Sequence, residues 1–301
     1  MKYENPQVPE GINVTPEHPL KEFAQLVIGV LVTVVALVTL LALGAEQIAR
    51  RIPFATEVEL AAAYRDSLPP RTVVTNYLQQ LADRLAAAEN LPPDMRIMVH
   101  YVDSDTVNAF ATIGGNIVFF RGLLEKVPDE NSLAMVMAHE IAHVRERHPI
   151  MSLGRGVVIG LALSTLANLS GNHVAAGALN EAGLLTVLRF SRAQEEESDR
   201  IALEALARVY GNATGADTFF NLMLDLPNRE LAEKTPAFLT THPATRERIT
   251  EIRRLAQQHG WAVDAPTLPL PEAVSAAITA RPPEPETATP APAAQPDTRP
   301  E

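Results

Sequence analysis

The sequence predicts an α+β domain that is mainly helical, contains one small β-sheet and is preceded by one transmembrane helix. Three observations support this fold class. Residues 23–45 form an uncharged apolar run, short β-rich segments flank the paired glycines Gly114 and Gly115, and apolar residues recur at helical spacing elsewhere. Together they predict a helical domain that contains one β-hairpin and follows a membrane anchor.

The N-terminal segment contains the predicted anchor. Residues 1–22 are polar and contain four prolines, which predicts a flexible leader. Residues 23–45 carry no charge and can cross a hydrocarbon core of about 30 Å as a helix. A cleaved signal peptide is the alternative, although the apolar run is long for one and lies away from the N-terminus. The orientation stays open, because two lysines before the run nearly balance two arginines after it.

The main domain is predicted over residues 46–262. A helical pattern runs from residue 57 to about residue 89, and two prolines follow it. Residues 96–103 alternate as a strand does, and residues 108–120 read as a hairpin that turns at the paired glycines. Further helices are predicted over residues 129–148, 189–210 and 216–226, and from residue 243 to Gly260.

Two segments differ from the rest in composition. Residues 153–188 are mostly apolar, and their uncharged part, 156–179, could be a second membrane span. Its glycines and polar residues favour helices that pack on the domain and can reach the membrane surface. Residues 263–301 are rich in Pro, Ala and Glu, which predicts a disordered tail.

The composition excludes several kinds of site and partner. The net charge of −11 argues against a nucleic-acid partner, because neutralising phosphates requires a basic surface. The chain contains no cysteine, so disulfides and thiolate metal sites are excluded. Any metal must therefore bind to histidine and carboxylate side chains.

The string HEIAH, residues 139–143, lies within one predicted helix. His139 and His143 are one turn apart and share a face, where two imidazoles can bind one zinc ion. Glu140 is rotated by about 100° from His139, so its carboxylate can reach a metal-bound water without ligating the metal. The spacing predicts a zinc site with Glu140 as general base; the alternative is a surface helix with two histidines. A catalytic zinc also needs a third protein ligand.

The string QEEESD, residues 194–199, offers three glutamates as that ligand. Glu196 and Glu197 lie on helix faces that continue into charged residues. Glu195 lies on a face that continues through Asp199 into apolar residues, as expected of a helix entering a core. Glu195 is therefore the predicted ligand, and Asp199 is predicted to accept a hydrogen bond from a zinc-bound histidine.

With these motifs, the chain resembles the zinc metalloendopeptidases that include the CAAX prenyl endopeptidase, HtpX and the mitochondrial overlapping-activity protease, with their bacterial periplasmic relatives. The resemblance rests on HEIAH, on Glu195 with Asp199, on NAFATIGGNIVFFRGLL upstream and on THPATRERI downstream. It covers about residues 60–255. The resemblance implies a zincin-like metallopeptidase domain that binds one Zn²⁺ per chain.

The resemblance also implies roles for residues outside the two motifs. His242 would hydrogen-bond the oxyanion formed when water attacks the carbonyl. Arg246 could orient His242 or the substrate, or be a surface charge. The hairpin would supply an edge strand to which an extended substrate adds; an ordinary core hairpin is the alternative. The candidates for that edge are Asn116, Ile117, Val118 and Phe119. Of the other histidines, those at positions 18, 100, 148 and 173 are predicted to be structural or exposed.

The expected function is that of a membrane-anchored zinc endopeptidase that cleaves unfolded or membrane-associated polypeptides in protein quality control. The resemblance places it in a bacterial inner membrane through residues 23–45, with a periplasmic catalytic domain; the cytoplasmic face is the alternative. Two other functions are a zinc-bound chaperone or adaptor and a metal-dependent hydrolase of a non-peptide substrate. Glu140 argues against the chaperone, because a scaffold needs no base.

Overall fold

The computed structural model describes residues 19–65, 71–170, 189–224, 237–243 and 245–280. It confirms the predicted fold class, since the described chain is mainly helical, has one small sheet and begins with an apolar helix. The helices are α1 (Pro19–Ala49), α2 (Phe54–Arg65), α3 (Val73–Ala88), α4 (Arg121–Leu124), α5 (Glu130–Arg145), α6 (His148–Ser170), α7 (Arg192–Tyr210), α8 (Thr218–Leu224), α9 (Ala237–Thr241), α10 (Arg246–Gln258) and α11 (Glu272–Thr279). The strands are β1 (Met98–Val102), β2 (Ala109–Thr112) and β3 (Asn116–Phe120).

Helix α1 contains the whole of the predicted anchor, residues 23–45. Its segment Leu20–Ala49 is, by length and composition, the one described helix that could cross a membrane. Almost all of its large apolar side chains are exposed, among them Leu40 at 68%. Such a surface is unfavourable in water but is suited to lipid. The predicted leader lies outside the described residues except for its last four positions, which are helical.

The sheet has the order β1-β3-β2, with β3 parallel to β1 and antiparallel to β2. The predicted hairpin exists, and its helical turn Ile113–Gly115 contains the paired glycines. Gly115 has φ +77°, and a Cβ there would lie 2.0 Å from the carbonyl oxygen of Arg96. Only glycine fits this position.

The strand order corrects one prediction. The sequence predicts an edge position for Asn116, Ile117, Val118 and Phe119, but β3 is the central strand and pairs on both sides. The edge strand of the hairpin is β2 instead. The reason is that β1 pairs with β3 in parallel, a long-range choice that alternation along the chain does not encode.

Helix α5 forms the centre of the domain. Asp129 caps its N-terminus by accepting a hydrogen bond from the backbone N–H of Ser132, at 2.8 Å. Residues 130–144 are all buried, because α3, α7 and β2 pack around the helix. A helix surrounded in this way holds its side chains in fixed positions.

The C-terminal part of the domain extends beyond its predicted end at residue 262. The predicted disordered tail, 263–301, is wrong for its first part, since α11 buries Val274 and Ile278 against the core and packs on α3. These two apolar side chains are one turn apart, and their burial offsets the entropy of ordering this Pro-rich stretch. Residues 281–301 lie outside the described part of the chain.

Candidate metal centre

Helix α5 brings His139 and His143 together in the interior. Both side chains are fully buried, and their Nε2 atoms lie 3.0 Å apart. The Nδ1 atom of His139 lies 2.9 Å from a carboxylate oxygen of Asp199. With the ring proton on Nδ1 facing Asp199, the Nε2 lone pair of His139 is available for a ligand. The two histidines are therefore arranged as predicted for a shared ion.

Helix α7 supplies the third donor. It begins with a capping box between Ser191 and Gln194, which places Glu195 in the first turn. Glu195 is buried, and its two carboxylate oxygens lie 3.5 Å from Nε2 of His139 and of His143, respectively. Glu196, rotated by about 100° from Glu195 on the helix, is exposed. The helix therefore points Glu195, the predicted ligand, toward the two histidines.

A fourth donor, His242, follows α9 and is also fully buried. Its Nδ1 lies 3.0 Å from an oxygen of Glu195, and its Nε2 lies 3.4 Å from an oxygen of Glu140. The donor atoms of His139, His143, Glu195 and His242 all lie within 4.8 Å of one another. His242 therefore lies between the other donors and Glu140.

The donor set fits a divalent cation such as zinc. It contains imidazole nitrogens and a carboxylate, the ligands that zinc takes in the absence of cysteine. Three buried carboxylates, Glu140, Glu195 and Asp199, surround the histidines. Among the described residues, Arg248 is the buried arginine that faces them. Burying such an excess of negative charge is unfavourable without a further cation, and an ion between the four donors would supply it.

Asp199 also contacts Arg248, a residue that the sequence motifs do not identify. Its Nε and Nη2 atoms donate to the two oxygens of Asp199, each at 2.7 Å, and Nη1 lies 2.8 Å from Glu195. Although burial alone would raise the pKa of Asp199, Arg248 outweighs it and lowers that pKa. Arg246, the arginine considered from the sequence, is exposed. Arg248, two residues later on α10, faces the site instead.

Glu140 lies beside the donor set without joining it. One of its oxygens accepts a hydrogen bond from the backbone N–H of Ala111 in β2, at 2.7 Å. The other has no hydrogen-bond partner among the described residues. Complete burial raises the pKa of Glu140 above its ordinary value. This placement is the one expected of a general base, and it ties that base to the edge strand of the hairpin.

His148 contacts His143, and the sequence analysis does not predict this contact. The sequence predicts that His148 is structural or exposed; it is buried, and its Nδ1 lies 2.9 Å from Nδ1 of His143. Burial lowers the pKa of His148 to about 4. Phe190 stacks on the ring of His143 at 3.9 Å between centroids. These two contacts fix the orientation of the His143 ring. The sequence signal for the first contact is that His148 follows His143 by five residues.

A cavity of about 730 Å³ opens beside the centre. Glu195 and Arg248 line its inner end, and the N-terminal turn of α7 and the outer face of α10 form its walls. The lining side chains are mainly charged, including Arg192, Arg200 and Glu251. Glu195 is the member of the donor set that lines this cavity.

Comparison with known proteins decides the family. The pattern of peptidase family M48 matches residues 73–256, which is more than half of the chain. The chain belongs to peptidase family M48. This confirms the resemblance inferred from the motifs and makes the chain a member of a metallopeptidase family.

Two relatives share part of their length with this chain. The putative beta-barrel assembly-enhancing protease of Vibrio cholerae is 32% identical over 200 residues, which cover 62% of this chain and 40% of that protein. The mitochondrial metalloendopeptidase OMA1 of Schizosaccharomyces pombe is 33% identical over 201 residues, which cover 64% of this chain and 57% of that protein. The similarity thus spans less than two thirds of either relative.

Proposed function

We propose that this M48 protein is a membrane-anchored zinc endopeptidase. The observation that carries the proposal is the position of Glu140, buried beside His139, His143 and Glu195 and outside the donor set. A scaffold or chaperone would need the ligands but not this carboxylate. Zinc held by these residues would polarise the scissile carbonyl and lower the pKa of a water molecule.

The residues of the chain then divide the work of hydrolysis. Glu140 accepts the proton of the attacking water and returns it to the leaving amine, a role that its raised pKa suits. His242, 3.4 Å from Glu140, donates a hydrogen bond from its ring to the oxygen that becomes negatively charged. Asp199 and Arg248 keep His139 and Glu195 oriented.

The substrate in this proposal is an extended polypeptide that adds to the edge of β2. The N–H of Ala111 points away from β3 and donates to Glu140, so this edge of β2 lies beside the base, which supports the proposal. Backbone pairing at an edge binds many sequences, which suits unfolded polypeptides. Because Ala111 in β2 is hydrogen-bonded to Glu140, a polypeptide that pairs with this edge would lie next to the base.

The test is Glu140→Gln, which keeps the shape of the side chain but removes the base. Zinc content should stay at one ion per chain, while casein cleavage should fall by roughly 100-fold or more. Glu196→Gln, on the exposed side of α7, is the matched control and should cleave normally. Undiminished cleavage by Glu140→Gln would refute the mechanism. A fully zinc-loaded wild type that cleaves no unfolded protein would favour the chaperone.

The membrane location and the physiological role are part of the proposal. The exposed apolar surface of α1 supports insertion of residues 23–45, and the beta-barrel assembly-enhancing proteases of bacteria support a role in envelope protein quality control. We propose a bacterial inner-membrane protein with a periplasmic catalytic domain. Protease treatment of spheroplasts tests this: the C-terminal residues should be cleaved from outside. Protection until lysis would indicate the cytoplasmic face.

A further inference from the structure

Helix α6 packs closely against the predicted anchor α1. A Cβ placed on Gly154 would lie 2.9 Å from Cβ of Ala49 and 3.0 Å from the carbonyl oxygen of Ala45. The two backbones therefore approach more closely than a larger side chain would permit, as in packed membrane helices. Arg155, next in α6, pairs with Glu46 at 3.6 Å. This contact fixes α6 beside the charged C-terminal end of α1.

The two helices continue side by side from this point. Of the described α1 positions before residue 50, only 38, 42, 45, 46 and 49 are buried or partly buried, and they form one stripe on the helix. Helix α6 is the element that lies along this stripe. The stripe reaches about 16 Å from Ala49 back to Val38. Helix α6 therefore runs antiparallel to α1, into the region that the anchor occupies.

The outer face of α6 has the properties of a surface in lipid. Val157 and Leu161 are 54% and 63% exposed, and residues 156–170 carry no charge. The hydroxyls of Ser164 and Thr165 both donate to the carbonyl of Leu161, at 3.0 and 2.8 Å. The threonines of α1 at positions 33 and 39 bond to their own helix in the same way. Such bonds satisfy hydroxyl groups where no water is available.

We propose that α6 is embedded in the bilayer beside α1, with its outer face in contact with acyl chains. The proposal rests on the proposed function, because it requires α1 to be in the membrane. Lipid is the occupant because the outer face of α6 continues the exposed apolar surface of α1. Residues 156–170 extend about 22 Å as a helix, so α6 enters the hydrocarbon core of about 30 Å without crossing it within the described residues.

This arrangement fixes the metal centre close to the membrane. The pair of Glu46 and Arg155 marks the last charges before the uncharged parts of both helices. His148 lies seven residues before Arg155, about 10 Å along α6, and it contacts His143 directly. His148, on the near side of the centre, is therefore about 10 Å along the helix from the level of these charges.

Because the chain contains no cysteine, a single introduced cysteine can be labelled selectively, and the test uses this. Single variants Leu161→Cys, Leu40→Cys and Gln257→Cys are made in the full chain, labelled with a bimane fluorophore in detergent and reconstituted into phosphatidylcholine vesicles. The vesicles carry either ordinary or brominated acyl chains, since bromine quenches fluorophores that contact it. Leu40 lies on the exposed face of α1, and Gln257 is exposed on α10, so they are the lipid and water controls. Casein cleavage by each variant verifies its fold.

The expected result is a loss of fluorescence in brominated vesicles that is comparable at positions 161 and 40 and absent at position 257. Quenching at position 40 without quenching at position 161 would overturn the embedding of α6, whether water or another protein copy covers its face, and would leave the anchor intact. No quenching at either position would show that α1 is outside the bilayer. That result would overturn both this inference and the anchored part of the proposed function, without touching the peptidase chemistry.

Discussion

Replacing Arg248 by methionine removes the buried positive charge from the metal centre. The guanidinium donates to both oxygens of Asp199 at 2.7 Å and lies 2.8 Å from Glu195, while the residue is only 5% exposed. It also lies over the ring of Phe220, 4.9 Å from the centroid. Methionine keeps an apolar stem over this ring, so Arg248→Met mainly tests the charge.

The expected loss follows from the geometry. Removing one partner of a buried ion pair destabilises a protein by about 3–5 kcal/mol, because the remaining charge is left without compensation. This is a large share of a typical free energy of unfolding of about 5–15 kcal/mol. Zinc should restore part of the loss, since a divalent cation compensates Glu195. Zinc affinity itself should fall by roughly 10–100-fold, because Asp199 is no longer held against His139.

The assay is urea unfolding in mild detergent, with a chelator and then with zinc, together with zinc competition against a chromophoric chelator. Arg246→Met is the matched control, since Arg246 lies on the same helix but is exposed. It should change the free energy of unfolding by no more than about 0.5 kcal/mol. If Arg248→Met in chelator is no less stable than Arg246→Met, the charge argument for this site is wrong.

Three further predictions concern other parts of the domain. Glu195→Ala should lose the bound zinc, as measured by atomic absorption, whereas Glu196→Ala should keep both zinc and activity; equal zinc contents would contradict the ligand assignment. Burial raises the pKa of Glu89 well above its ordinary value, so the folded protein holds this proton longer and stability should fall as the pH rises from about 4.5. Glu89→Gln should therefore raise the thermal midpoint at pH 8 by an amount equivalent to roughly 1 kcal/mol, with little effect at pH 4; the same shift at both pH values would exclude ionisation as the cause. Gly115→Ala should lower stability by at least about 2 kcal/mol in urea unfolding, because the added methyl meets the Arg96 carbonyl at positive φ; a neutral effect would contradict the turn geometry.

Local signals in the sequence predicted those parts that depend on neighbouring residues. The HEIAH spacing places both histidines on one face of α5, and the stripe through Glu195 and Asp199 is the buried face of α7. The hairpin turn lies at the paired glycines because their positive φ values fit it. In each case, helical or turn geometry over a few residues contains the information.

The predictions that failed depend on long-range contacts. The edge strand was misplaced because the parallel pairing of β1 with β3 is set by the packing of the whole domain. Arg246 was considered instead of Arg248 because the rotation of α10 relative to α7 cannot be read from its own sequence. The segment after residue 262 was predicted as disordered from its composition, although α11 finds a complementary surface on α3. Each error concerns a partner far away in the chain.

The C-terminal segment determines when the metal centre can be completed during synthesis. Leu268 accepts a hydrogen bond from the N–H of Glu130 at 2.8 Å and donates one to Asn131, which lies 137 residues earlier. At roughly 5–20 residues per second, a ribosome needs about 7–27 s to add that length of chain. His242 and Arg248 also emerge late. The nascent chain therefore carries helix α5 for several seconds before it has the residues that fasten this helix and complete the donor set around its histidines.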